Sequence, residues 1–144
     1  MKEYFFNLGM EIGGILHLSP KETFEAIAKD VCIIDIRRDF EVAGKKITGT
    51  EVIYIPFSML PDKYHELSKD RNYIIVDSVG MRSKDAVIFL LEKGFEKVAN
   101  LNGGIVDWEK DGLPMNIDKG ELLTGSCLCQ LRPKKKFKKE NEKK

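Results

Sequence analysis

Short unbroken runs of β-branched and other apolar residues, separated by stretches of helical periodicity, constrain this chain more than any other feature. The run VCIIDI (residues 31–36) is apolar without alternation, as a strand covered on both faces requires. EVIYIP (51–56), stopped by Pro56, YIIV (73–76) and residues 98–101 repeat the pattern. Helix signals lie between them. In LSPKE, Ser19 stands as N-cap and Pro20 at the first helical position. Glu22 reaches back to complete a capping box. Phe24, Ile27 and Ala28 are the predicted apolar face of that helix. A short helix is predicted over 58–67. From Arg82, the spacing of Ala86, Phe89, Leu90 and Lys93 predicts about three turns, closed by Gly94 as a left-handed cap. Gly103 and Gly104 open a last helix containing Trp108, which Gly112 and Pro114 end.

The connections are too long for hairpins, so the predicted fold class is α/β: a mostly parallel central sheet covered by helices on both faces. In such sheets ligand chemistry collects beyond the carboxyl ends of the strands. The turns after Asp35 and after Val76 are the two places to look. The periodicity predicts one domain over 17–115, an N-terminal extension over 1–16 and a C-terminal tail over 116–144.

Composition narrows the function classes. Of 144 residues 42% are hydrophobic and mean hydropathy is −0.28, enough to fill one core. No apolar run approaches the ~18–20 residues a spanning helix needs, and Asn7 and Glu11 interrupt any signal-peptide core. The net charge of +1 hides an asymmetry. Residues 132–144 hold eight Lys and Arg against two Glu, a net +6, which leaves −5 on residues 1–131. An acidic body is not the charge distribution of a globular nucleic-acid reader. The Lys-rich end reads as solvated and disordered by composition. Three cysteines are too few and too odd in number for a disulfide scaffold and place the chain in a reducing cytoplasm. No motif calls for a cofactor.

VDSVGMRSKDA (76–86) is the most informative stretch. A strand ends, the loop Asp77, Ser78, Val79, Gly80, Met81 and Arg82 follows, and a helix begins near Ser83. Gly80 permits a positive φ, which lets successive backbone N–H groups converge. The helix N-terminus and Arg82 add positive charge at the same point. Gly80, Arg82 and Ser83 thus form an anion cradle; the competing reading is an ordinary strand-to-helix turn capped by its own Ser and Asp.

Three stretches in order resemble the rhodanese-homology (rhodanese-like) single-domain form of the sulfurtransferase family. DIRRDFEVAGKKITGT (35–50) resembles the family's D-x-R…E…G-H-I-x-G-A segment through Asp35, Arg37, Glu41, Ile47 and Gly49. VDSVGMRS resembles the active-site loop C-x-x-G-x-R-S through Gly80, Arg82 and Ser83. GFEKVANLNGGIVDWEKDGLP (94–114) resembles the closing G-F…V…L-x-G-G…W…G-x-P segment. The resemblance implies a rhodanese fold and persulfide chemistry, but two departures cut across it. The position that holds the family's persulfide-forming cysteine is Asp77, and Lys45 and Lys46 replace its Gly-His pair. A carboxylate cannot form a persulfide. Asp77 is expected to fill the cradle with its own charge, so no catalytic residue is assigned at this loop. A phosphoryl-transfer role for Asp77 with Asp35 nearby is the less favoured chemistry, since it normally recruits a metal ion.

Cys127 and Cys129 form a C-x-C pair in the tail, while Cys32, inside VCIIDI, reads as a buried small hydrophobe. Three readings of the pair stay open: incidental cysteines, a sulfur or redox carrier, and two ligands of a metal completed by a second chain or by His17 and His65. Two functions follow. One is a binding or regulatory module engaging a protein partner or a small anion; the other is a sulfur-handling protein working through Cys127 and Cys129. Neither oligomeric state nor the role of the N-terminal extension is encoded in a recognisable pattern.

Overall fold

The structure is a computed structural model, and it describes residue 5 and residues 7–118. The strands are β1 (Met10–Ile12), β2 (Ile15–Leu18), β3 (Val31–Asp35), β4 (Lys45–Ile47), β5 (Val52–Tyr54), β6 (Asn72–Val76), β7 (Val98–Leu101) and β8 (Met115–Ile117). The helices are α1 (Pro20–Ile27), α2 (Asp39–Gly44), α3 (Leu60–Lys63), α4 (Arg82–Glu92) and α5 (Gly104–Lys110). The main sheet has the order β1-β2-β7-β6-β3-β5, parallel throughout except for the β1–β2 hairpin. β4 and β8 form a separate antiparallel pair. The chain is therefore α/β with a mostly parallel central sheet.

Alternation along β3 builds two cores. Cys32 and Ile34 face one side, with Tyr73, Ile75, Val87, Leu90 and Phe95 beneath α4; Val31 and Ile33 face the other, with Leu18, Ala26, Leu101 and Trp108 beneath α1 and α5. Each fully buried aliphatic or aromatic side chain contributes about 1.5–3 kcal/mol, so the central strands anchor the fold. Cys32 is wholly buried, and burial pushes its thiol up to about 11.

The helix termini follow the local chemistry. The Glu22 N–H donates to Ser19 Oγ at 3.1 Å and the Ser19 N–H to Glu22 Oε1 at 2.9 Å, the capping box of α1. Gly94 (φ 94°) turns the chain after α4, and the Phe95 N–H returns to the Leu90 carbonyl at 3.0 Å. The predicted helix over 58–67 is α3 flanked by single 3₁₀ turns at Phe57–Met59 and Tyr64–Glu66.

Four expectations shift. The buried face of α1 is Pro20, Thr23 and Ala26, while Phe24 is 46% exposed and meets Trp108 edge-on. The reason is that α1 turns its Pro20, Thr23 and Ala26 side to the sheet, and the ring of Phe24 packs on the edge of the buried Trp108 indole. β5 is the sheet's edge, so Val52 and Ile53 are half-buried and Tyr54 is exposed rather than covered on both faces. Residues 10–12 and 15–16, within the expected N-terminal extension, pair as strands of the main sheet. Strand pairing also runs past Met115, to Ile117.

Candidate functional site

β3 and β6 are neighbours in register, Asp35 opposite Val76. Their carboxyl ends therefore open side by side, with a buried acid at each: Asp35 is the last residue of β3 and Asp77 the first after β6. Asp35 and Arg37 form a closed pair. Arg37 Nη2 lies 2.8 Å from Asp35 Oδ2 and Nε 3.0 Å from Oδ1, with both side chains at most 3% exposed. The same guanidinium donates to the carbonyls of Glu41 (3.2 Å) and Lys45 (2.6 Å). It thus holds α2 and β4 against the strand end.

Asp77 is 1% exposed and sits inside its own loop. Its Oδ1 accepts from the N–H groups of Val79 (3.1 Å) and Gly80; its Oδ2 accepts from those of Arg82 (2.7 Å) and Ser83 (3.2 Å). The last two are the first N–H groups of α4, whose N-cap residue, Met81, makes no side-chain cap. Asp77 supplies that cap from below, with the helix dipole in its favour. Arg82 Nε stands 3.6 Å from Oδ2. Four converging donors and one guanidinium therefore surround a single carboxylate, and the cradle is filled by the chain itself.

The loop is shaped by α5. The Ile105 and Val106 N–H groups donate to the carbonyls of Asp77 (2.9 Å) and Ser78 (3.0 Å), which turns those carbonyls outward. Gly104 makes this contact possible, since a Cβ there would lie 2.5 Å from both carbonyl oxygens. Gly80, at φ 91°, closes the turn where a side chain would meet the backbone of Gly103 at 3.1 Å. The Gly-Gly pair of the third sequence stretch thus clamps the loop of the second.

The rim carries groups that the loop sequence does not contain. Glu41 accepts from Ser78 Oγ at 3.3 Å and from Arg82 Nη2 at 3.4 Å. Burial pushes its carboxyl up, but the Arg38 N–H, the Arg82 charge and the Ser78 hydroxyl outweigh that and hold it below the usual range. Ser83 Oγ donates to Asn100 Oδ1, and Asn100 Nδ2 donates to His17 Nδ1 at 3.1 Å, which leaves the imidazole proton on Nε2. Burial, then the Lys84 charge, lowers the pKa of His17. The detectable signals were Glu41 in the first motif and Asn100, a polar residue within the buried strand VANL.

Asp77, Ser78, Gly80, Arg82 and Ser83 come together as one site, with Val79 and Met81 pointing to its exposed outer side. Asp35 does not join them, being engaged by Arg37. Its carboxylate, like that of Asp77, is taken up by protein donors. His17 and His65 are apart in role: His17 belongs to the Asn100 relay, and His65 packs on Tyr64. Among the described residues no cluster of three or more His, Cys, Asp or Glu could hold a metal. Cys127 and Cys129 lie outside the described residues.

Comparison with known proteins is consistent across sequence and structure. The rhodanese-like domain family matches residues 19–111. A sulfurtransferase of Allochromatium vinosum is 35% identical over 95 residues, covering 66% of this chain and 87% of that protein. YtwF of Bacillus subtilis (strain 168) is 36% identical over 107 residues, covering 74% of this chain and 100% of its own length. The crystal structure of a rhodanese-related protein from Thermoplasma volcanium is 29% identical, with a TM-score of 0.63 over 71% of this chain and 98% of that one.

Proposed function

The chain belongs to the rhodanese-like domain family, and from that premise we propose that it acts as a binding or regulatory module rather than as a thiosulfate sulfurtransferase at the usual loop. The observation that carries this reading is the Asp77 carboxylate, which accepts four backbone N–H groups where the family places a persulfide-forming cysteine. Sulfur transfer from thiosulfate needs a polarisable thiolate to attack the outer sulfur and release sulfite. Asp77 offers an oxygen already saturated with donors, and its charge repels the entering dianion. What remains is a rigid rim of Ser78, Val79, Met81 and Glu41, suited to a protein partner. We place its work in the cytoplasm on the cysteine count, since three cysteines are too few and too odd in number for a disulfide scaffold. Among the described residues no helix is long and apolar enough to cross a membrane.

The test is thiocyanate formation from thiosulfate and cyanide. The native chain should give none above buffer, and Asp77→Cys should give measurable turnover, because Gly80, the α4 terminus and Arg82 are already placed around position 77. An inert Asp77→Cys with an unchanged circular dichroism spectrum removes the idea of a preserved cradle. Brisk turnover by native chain with Cys127→Ser and Cys129→Ser removes the reading altogether.

One observation favours the second reading, a sulfur carrier or redox protein using Cys127 and Cys129. The described chain ends at Asp118, hydrogen-bonded to Gly44 of α2, close to the rim of the loop. The nine residues to Cys127 span up to about 30–32 Å. Mass spectrometry after incubation with a persulfide donor distinguishes the two: the carrier reading requires a tail peptide heavier by one sulfur, lost in the double Ser variant.

A further inference from the structure

An apolar strip runs along one side of the loop and belongs to neither core. Met10 pairs with His17 and Ile12 with Ile15, so the pleat puts Met10, Ile12 and His17 on the α4 side of the sheet. α4 packs on β6, β7 and β2, and β1 extends beyond them as the sheet's edge. Met10 is left 64% and Ile12 57% exposed. Facing them, Val79 and Met81 are 54% and 61% exposed, and Ile88 follows seven residues after Met81 on the same flank of α4. Between β1 and the loop lies a groove of about 430 Å³, lined by Met10, Ile12, His17, Val79, Met81 and Lys84 among others. Contiguous exposed apolar surface rimmed by polar groups marks a contact site.

The chain's own course supplies an occupant. The Asp118 N–H donates to the Gly44 carbonyl at 2.8 Å. Gly44 closes α2, and Glu41, three residues or about 4.5 Å of helix rise earlier, touches Ser78 and Arg82. The described structure thus ends beside the Asp77 loop, and the groove opens on the loop's other side. From β6, which carries the loop, to β1 is three strand spacings, roughly 14 Å. Twenty-six residues follow Asp118, and the thirteen up to Leu131 reach about 43–47 Å when extended. Their sequence suits an extended segment: Leu123, Cys127, Cys129 and Leu131 fall on one side at the two-residue spacing, and Leu122 and Leu128 fall on the other. The end that follows carries a net +6, opposite in sign to the net −5 on residues 1–131.

We propose that residues 122–131 fold back across the Asp77 loop of the same chain and seat their apolar side chains in the groove between β1 and α4. The contact covers the rim that a partner would read and requires no chemistry at either thiol. It therefore stands or falls separately from both functional readings.

The test uses the full chain with Cys129→Ser and a nitroxide on Cys127; Cys32 stays unlabelled because it is buried. Amide NMR signals of Met10, Ile12, Val79 and Met81 should be broadened beyond detection, while those of Val52 and Ile53 on the far edge keep their intensity. Met10→Lys with Ile12→Lys, both at exposed positions, should restore the Val79 and Met81 signals. Unbroadened groove signals, with losses confined to the neighbours of Asp118, overturn the proposal. So does broadening that appears only when labelled chains without ¹⁵N are mixed with unlabelled ¹⁵N chains, since a second copy then fills the groove.

Discussion

Asp35 and Asp77 end adjacent parallel strands, are equally buried, and solve the same electrostatic problem in different ways. Asp35 is neutralised by a full opposite charge, the two-pronged guanidinium of Arg37, which also ties α2 and β4 to the sheet. Asp77 is neutralised chiefly by dipoles, the four N–H groups of its own loop, with Arg82 one-third exposed at 3.6 Å. A charge paired by a buried side chain is a clamp, because removing either partner strands the other. A charge held by backbone dipoles sits in a site that exists without it. The α5 N–H groups hold the carbonyls of Asp77 and Ser78 from outside, so the loop N–H groups are expected to converge on an anion of suitable size once the carboxylate is removed.

Removing the acid from each place separates the two most strongly. Asp35→Ala leaves the Arg37 guanidinium buried and unpaired, which costs about 3–5 kcal/mol, a large share of a domain's ~5–15 kcal/mol. Urea denaturation should show a much lower midpoint or an unfolded chain. Asp77→Ala should cost about 1–3 kcal/mol, the penalty for donors that lose an acceptor, and sulfate should recover part of it. An anion held at 100 times its Kd stabilises by about 2.7 kcal/mol. Sulfate raising the midpoint of native chain and variant equally would refute the view of an anion cradle filled by Asp77.

Removing the arginine sharpens the contrast at smaller scale. Arg37→Gln should approach the cost of Asp35→Ala, since it strands a carboxylate. Arg82→Gln should cost less than ~1 kcal/mol, because a partly exposed guanidinium is screened by solvent and Asp77 keeps its four N–H partners. Equal losses in the two variants, read from denaturation midpoints, would show that Asp77 depends on side-chain charge after all.

The contrast explains what could be read from the residues. The layered α/β order was legible because VCII and YIIV are short continuous apolar runs, and a central strand permits little else. The loop was legible because Gly80, Arg82 and the start of α4 are contiguous. Local patterning carries less about edges: EVIYIP looks like an inner strand, and only the sheet order puts Tyr54 in solvent. The pairing of Met10–Ile12 was hidden for the same reason, since three exposed residues gain order only from β2. Parts of the site assembled from distant segments were the hardest. Nothing near Asp77 announces that Ile105 and Val106 hold the carbonyls of Asp77 and Ser78, that Glu41 braces Ser78, or that His17 reaches Ser83 through Asn100.

That last relay yields the smallest effect expected and the most specific to Asp77's side of the contrast. His17 Nδ1 accepts from Asn100, whose carbonyl is taken by the Ser83 hydroxyl; the Ser83 N–H in turn holds Asp77. Burial and the Lys84 charge place the folded pKa of His17 below its ordinary 6.5. The unfolded chain therefore takes up a proton first as pH falls, so stability is full above about 6.5 and declines from there toward the lowered folded value. The decline is small because the ring stays partly exposed. It is also separate from that of Glu41, whose lowered pKa preserves stability above its ordinary 4.5 and yields it only as pH falls further, through the folded value. In His17→Gln, denaturation midpoints should be flatter just below pH 6.5 and still fall in the acid range. Protonation of His17 also turns its Nδ1 from acceptor to donor, facing the Asn100 amide N–H₂. The Ser83 and Gly80 amide shifts of the native chain should then move together as pH falls through the lowered folded pKa of His17, while the Arg37 amide, beside Asp35, stays still. Coincident movement of all three would mean that the two acids share one network, and the contrast between clamp and cradle would no longer hold.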